Sequence, residues 1–247
     1  MPLTLHLRAD DAGLSPGTNA AIDAATLTCP NTSLMAVCPA LEDAADRFRH
    51  RPGLCLGLHF TLNAEWNTLR WRPLSPPDRV PSLLAPDGFC FPNPWRLPEG
   101  VVYDPAHVEI ELQAQLDLLR SLDLTIEYLD SHMAVLRTKP ELEEAARRFA
   151  AREGLVYPDA LPKLKHGPYG AGLDADLVRW AALLDAPAEP AAIALFHPAQ
   201  ADGVMETLTD DASMLPTRDA ERALLASPRF AALLREKGAT VLPFRTR

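Results

Sequence analysis

The sequence predicts an α/β fold built on a parallel sheet. Three observations support this. Strand-like apolar runs alternate with helix-like runs along the chain. About seven such βα units follow one another with no internal linker. The residues best suited to chemistry fall just after the strand-like runs, where parallel α/β folds build their sites.

Each element has a local reason. Residues 3–9 alternate as a short strand. Ser15-Pro16 reads as an N-cap followed by proline in the first helical turn, opening a helix over 16–27. A second strand is expected over 32–38, a helix over 40–49 and a third strand over 54–60, where Gly57 either weakens the strand slightly or lets another backbone approach. From about 62 to 104 the periodicity fails: Trp66, Trp71, Phe89, Phe91 and Trp95 lie among many prolines. A stretch of that length reads either as a lid or as an irregular excursion packed on the body. Val108, Leu112, Gln115, Leu116, Leu119 and Leu122 then restore a helical stripe. A strand over 125–129 follows, then a helix over 140–153 with Pro140 in its first turn and Gly154 just past its end. A short strand over 155–157, a helix over 174–184, an apolar strand over 191–196, a helix over 218–237 broken near Ser227-Pro228, and a strand over 240–244 complete the series.

Composition bounds the rest. The 247 residues are enough to bury a sizeable core, and a single domain over 1–247 with the insertion at about 62–104 is expected. Apolar residues are 47% and charged residues 23%, which excludes disordered and collagen-like chains. No apolar run approaches the ~20 residues of a membrane-spanning helix. The net charge of -9 repels a phosphate backbone, so nucleic acid is not an expected partner. Residues 1–8 lack the basic and apolar segments of a secretory leader. Cys29, Cys38, Cys55 and Cys90 form no CxxC pair and read as reduced core residues, so a cytoplasmic address is expected. A homodimer is allowed, though no apolar face singles out an interface.

Four strand ends converge on chemistry. Asp10-Asp11 follows the first strand, His59 ends the third, Asp130-Ser131-His132 follows the strand over 125–129, and His197 follows the strand over 191–196. Two adjacent carboxylates are electrostatically costly unless a cation sits beside them. One carboxylate with two imidazoles is a borderline-soft oxygen/nitrogen set suited to a catalytic divalent ion with open positions. Asp130 is placed to orient a nearby imidazole.

The same residues resemble a known family. Ala9 to Asn19, Thr32 to Met35, Gly57 to Leu62, Glu111 to Gln115, Tyr128 to His132, Phe196-His197-Pro198 and Arg218 to Glu221 are similar, in order, to the motifs of the YdjC-like carbohydrate deacetylases. The resemblance implies a distorted (β/α) barrel like that of the polysaccharide deacetylases. It matches Asp11, His59 and His132 to the metal ligands, Asp10 to the general base and His197 to the general acid. Three positions depart from the pattern. Ala12 stands where an aromatic is usual, Met133-Ala134-Val135 where further histidines are usual, and Leu155-Val156-Tyr157-Pro158 where an arginine is usual.

The expected activity is metal-dependent hydrolysis of an N-acetyl group on an amino sugar or oligosaccharide. The alternatives are metal-dependent hydrolysis of another amide, an ester or a phosphoester, and a non-catalytic carbohydrate-binding protein. Zinc is the expected ion, with magnesium, manganese or iron as alternatives. Trp66, Trp71 and Trp95 are candidates for stacking on sugar rings.

Overall fold

A six-stranded sheet whose recorded pairings are all parallel organises the chain, in a computed structural model that describes residues 3–66, 68–158 and 161–245. The elements in order are β1 (Thr4–Ala12), α1 (Pro16–Ala25), β2 (Asn31–Leu34), α2 (Leu41–Phe48), β3 (Cys55–Phe60), α3 (Pro105–Ser121), β4 (Ile126–Ser131), α4 (Pro140–Glu153), α5 (Leu173–Asp185), β5 (Ala191–Phe196), α6 (Met214–Leu225), α7 (Pro228–Glu236) and β6 (Thr240–Val241). The sheet order is β4-β3-β2-β1-β5, with β6 paired to the start of β1. β2 and β3 are buried along their whole length, as strands of a parallel sheet covered on both faces must be.

Two expectations need correction. The sheet has six strands, because the segment expected as a strand over 155–157 reduces to a single bridge, Val156 with Tyr128 of β4. A second single bridge joins Lys163 to Ile193 of β5. Pro158 and Pro162 lack the N–H groups that a ladder needs, which is why the segment cannot pair continuously. The expected barrel is therefore not closed by a strand ladder among the described residues. β4 and β5 remain the edges, and these two bridges are what span the gap.

Three helix boundaries follow the sequence signals, while α6 begins at Met214, ahead of the expected 218. The Ser15 side chain accepts from the Thr18 N–H at 3.1 Å, with Pro16 at the first helical position. Gly154 closes α4 with φ 71°, a left-handed cap that glycine adopts without cost. The break near Ser227-Pro228 separates α6 from α7, and Ser227 caps α7. Gly57 does meet a close neighbour, but it is a side chain: a Cβ there would sit 2.1 Å from the Tyr128 ring.

The segment after β3 is an excursion pinned to the body. Its regular structure among the described residues is a 3-10 turn at Pro81–Leu83 and the isolated bridges Asn63–Phe91 and Leu84–Cys90. Val80, Leu83, Phe91 and Tyr103 join the main core, while Trp71 and Cys90 pack with Leu14, Met35, Met205 and Leu208. Two buried polar residues in the apolar stripe of α3 tie it down. Glu111 accepts from the N–H groups of Leu74 and Ser75 at 2.8 and 2.9 Å. Gln115 exchanges hydrogen bonds with the backbone of Thr61. Among the described residues no helix is long and apolar enough to cross a membrane.

Candidate metal centre

The carboxyl ends of β1, β3, β4 and β5 meet, and they bring Asp10, Asp11, His59, Asp130, His132 and His197 into one cluster. Adjacent strand residues point to opposite faces, so Asp10 and Asp11 would normally diverge. The register of β1 against β2 shifts between Ala9 and Ala12, and Asp11 takes φ 70°. This bulge and the left-handed backbone turn the second carboxylate back into the cluster, a local strain of the kind found at functional sites.

Asp11 Oδ1 lies 3.5 Å from His59 Nε2 and 3.3 Å from His132 Nδ1, and the two nitrogens are 3.3 Å apart. These separations are longer than good N–H···O hydrogen bonds. They agree with the ligand-to-ligand edge of a tetrahedral site: bonds of 2.0–2.1 Å give an edge of about 3.3–3.4 Å. Asp11 Oδ1 is buried and, among the described residues, has no hydrogen-bond partner.

Everything around these three atoms turns them inward. The Nδ1–H of His59 donates to Asp130 Oδ1 at 2.9 Å, so the neutral ring presents its lone pair at Nε2. The Nε2–H of His132 donates to Glu65 Oε1 at 2.8 Å, so the neutral ring presents its lone pair at Nδ1. Arg218 on α6 holds Asp11 Oδ2 at 2.9 Å, so that Oδ1 alone faces the histidines. Asp130 Oδ2 accepts from Ser33 Oγ at 2.9 Å and pairs with Arg8 at 2.5 Å. Because the Ser33 proton is committed to Asp130, the Tyr128 hydroxyl donates to Ser33, at 2.8 Å. Arg8 also grips Asp10 with two hydrogen bonds, Nε to Oδ1 at 2.6 Å and a terminal nitrogen to Oδ2 at 2.7 Å.

Charge balance tests the fit to a cation. With neutral imidazoles, the carboxylates of Asp10, Asp11, Asp130 and Glu65 face the guanidiniums of Arg8 and Arg218. Among these six groups two negative charges remain uncompensated, which a divalent ion would cancel. Burial opposes the imidazolium at His59, but Asp130 and then Asp10 outweigh it and raise its pKa to about 10. The same opposition at His132 is overcome by Glu65 and Asp11, to about 9. Burial alone would raise the Asp11 carboxyl, yet Arg218 and the two histidines hold it well below the ordinary carboxylate range. Asp10 is likewise held low against burial, chiefly by Arg8. Asp10, His59 and Asp130 form a second close group, but Arg8 already sits between its carboxylates.

His197 completes the cluster from the end of β5. Its Nε2 is 3.9 Å from Asp10 Oδ2, and its backbone N–H donates to Glu221 Oε2 at 2.6 Å. Burial around the ring pulls its pKa below the ordinary imidazole value, although the side chain keeps 42% of its surface open. A cavity of about 210 Å³ adjoins the cluster, with Asp10, His59, His197, Met133, Leu195 and Lys163 among its walls. A larger depression of about 640 Å³ lies against α3, away from these groups; the convergence of ionisable groups, rather than volume, marks the site.

All five residues singled out from the sequence meet here, and Asp130 orients His59 rather than its chain neighbour His132. Arg8 and Glu65 carry no mark in the sequence reading, while Ser33 and Arg218 lie in segments that resemble the family but have no role assigned there. Arg8 supplies a buried guanidinium to Asp10. Its signal was its place two residues before Asp10 on a strand, hence on the same face. The other histidines stay apart: His6 stacks on Phe244, His50 is exposed, His107 bonds Ser82, and His166 packs among Tyr169, Trp180 and Phe196.

Fold and cluster together define a parallel α/β protein with a buried carboxylate–imidazole centre at the mouth of its sheet. Residues 4–236 match the family model described as YdjC-like protein. The chain belongs to the YdjC-like family. It is 32% identical to a carbohydrate deacetylase of Geobacillus stearothermophilus over 99% of this chain and 98% of the relative. It is 25% identical to a carbohydrate deacetylase of Listeria welshimeri over 98% of this chain and 99% of that one. Among solved structures it is similar to a protein of Enterococcus faecalis V583 whose suggested role is cellobiose-phosphate cleavage. That match has a TM-score of 0.81 and 19% identity, and covers 99% of this chain and 98% of the other. A more distant similarity, TM-score 0.53 at 9% identity over 98% of this chain and 86% of the other, is to a peptidoglycan N-acetylglucosamine deacetylase.

Proposed function

We propose that the chain removes an N-acetyl group from an amino sugar or oligosaccharide, with Asp11, His59 and His132 holding a divalent ion, zinc first among the candidates. The observation behind this reading is the set of three inward-facing atoms 3.3–3.5 Å apart, with Asp11 Oδ1 buried and, among the described residues, unpartnered. Full-length relatives named carbohydrate deacetylase support the substrate class. A divalent ion bound there would lower the pKa of water and polarise an amide carbonyl.

The chain's own residues do the rest. Asp10, locked by Arg8 as a carboxylate at the cavity wall, takes the proton of the attacking water. His197 faces it across the same cavity and, in its protonated form, donates a proton to the departing amine, which is a poor leaving group without one. Arg218 and the histidine–carboxylate pairs hold the Asp11, His59 and His132 side chains in place before substrate arrives. We read residues 62–104 as part of the same single unit, since Glu65 from that stretch caps His132. The four buried free cysteines suit a reducing compartment, and the cytoplasm is the proposed address.

Acetate release from N-acetylated saccharides, measured together with elemental analysis of the purified protein, tests the reading. Asp11→Ala and His59→Ala should lose both bound metal and turnover. Asp10→Asn should keep the metal and lose roughly 10²–10⁴-fold in turnover. Unchanged metal content and turnover in the first two variants would overturn the assignment.

A further inference from the structure

The three tryptophans expected as sugar platforms have different fates. Trp71 is buried, with its ring edge-on to His132 at 6.5 Å. Trp66 lies under the Arg218 guanidinium, 5.6 Å from its ring centre. Both are occupied in shaping the centre. Trp95 keeps 56% of its surface exposed, yet it is pinned at two points. Its backbone N–H donates to Asn93 Oδ1 at 2.9 Å, and its indole N–H donates to the Met133 carbonyl at 2.8 Å.

Met133 is a wall residue of the 210 Å³ cavity beside Asp10, His59 and His197. Met133 and Ala134 both have left-handed backbone, φ 47° and 54°. Side chains other than glycine rarely adopt that conformation. The carbonyl at this turn is the one that the indole holds. Trp95 is therefore tethered to the rim of the cavity with its polar group spent and much of its apolar ring in water. Exposing so large an apolar group is costly, and fixing it in advance lowers the entropy lost when a ligand covers it.

We propose that Trp95 is the stacking platform for the sugar ring next to the one being deacetylated. This rests on the deacetylase reading above. The cavity, about 210 Å³, is smaller than the ~300–1,000 Å³ of pockets that enclose a whole drug-sized ligand. That is room for an acetamido group and little more than the ring bearing it, so the rest of a longer substrate lies outside. A pyranose ring presents an apolar C–H face bounded by hydroxyls, which suits an exposed indole face beside a polar cavity. A polypeptide or a lipid surface would instead need an apolar patch wider than one ring.

The test compares metal-loaded wild type, Trp95→Ala and Trp95→Phe on N-acetylglucosamine and its linked di- and trisaccharides. The wild type should gain about three- to tenfold in kcat/KM from mono- to disaccharide. Trp95→Ala should lose most of that gain through KM, and Trp95→Phe, which keeps a ring face, should retain part of it. As a readout independent of turnover, the de-N-acetylated glucosamine disaccharide should quench tryptophan fluorescence in wild type and not in Trp95→Phe. An equal di-to-monosaccharide ratio in wild type and Trp95→Ala overturns the inference while leaving the deacetylase reading intact. No acetate from any saccharide overturns that reading instead, and the fluorescence result then decides whether Trp95 meets sugar.

Discussion

Arg8 and Asp10 lie two residues apart on β1 and face each other in a buried, doubly hydrogen-bonded ion pair, at 2.6 and 2.7 Å, beside the cavity. The same guanidinium reaches Asp130, the carboxylate that orients His59. One buried cation therefore sets both the proposed base and one histidine. Removing it strands two buried carboxylates. Arg8→Met should cost about 3–5 kcal/mol of stability, the range for breaking a buried pair from one side. Chemical denaturation measures it, and Arg8→Lys should recover part of the loss while failing to reproduce the bidentate grip. A denaturation midpoint for Arg8→Met equal to that of wild type would show that Asp10 and Asp130 do not depend on it.

The carboxylates behind the histidines should govern affinity for the ion more than they govern folding. Glu65 fixes the His132 tautomer and Asp130 fixes that of His59. Glu65→Gln and Asp130→Asn keep the shape and weaken the acceptor. Each should lower metal affinity by roughly 10–100-fold, the usual effect of such partners. Competition with a chromophoric chelator reads this directly. Glu65→Gln is the cleaner variant, because Asp130 also serves Arg8 and Ser33.

Metal binding should exchange ion for protons. Without metal, His59 and His132 have pKa values raised to about 10 and 9, so both are charged at neutral pH and fill the charge deficit themselves. A divalent ion must displace both protons. Between pH 7 and 9 the apparent affinity should rise by up to roughly 100-fold per pH unit. Calorimetry in buffers of different ionisation enthalpy should count about two protons released per ion. Stability follows the same sign. Groups whose folded pKa lies above the unfolded value stabilise fully below about 6.5, and that stabilisation is lost as pH rises through the folded values. Metal-free protein should thus lose thermal stability between pH 6.5 and 10, and metal-loaded protein should lose less. Parallel melting curves over that window would expose the idea as wrong.

The strand ends were legible because each polar residue interrupts or closes an apolar run: Asp10 after residues 3–9, His59 within 54–60, and His197 after 191–196. The outer supports were less legible. Glu65 sits in a proline-rich stretch with no period to anchor it, and its meeting with His132 depends on tertiary placement alone. Arg218 stands on α6, more than two hundred residues from its partner Asp11. The seventh strand was read from Leu155-Val156-Tyr157, whose β-prone composition is real. Prolines 158 and 162 restrict it to one bridge, and with it goes the expected closure of the sheet.

The excursion after β3 should depend on α3 for its place. Glu111 is fully buried and spends both carboxylate oxygens on the N–H groups of Leu74 and Ser75. Oε1 also accepts from Gln115, whose amide group is bonded to Thr61 directly after β3. Replacing Glu111 with Ala leaves those backbone donors without acceptors in a buried setting, which costs about 1–3 kcal/mol. Because the contacts bind a loop to a helix, the loss should appear as local opening before global unfolding. Glu111→Ala should therefore be cut faster by protease within residues 62–104, with sites in the α4 and α5 helices unaffected. The loosened segment also carries Glu65, so metal affinity should fall in the same variant without any change to a ligand. Protection against proteolysis equal to wild type would mean that the apolar packing of Val80, Leu83 and Phe91 alone holds the segment down.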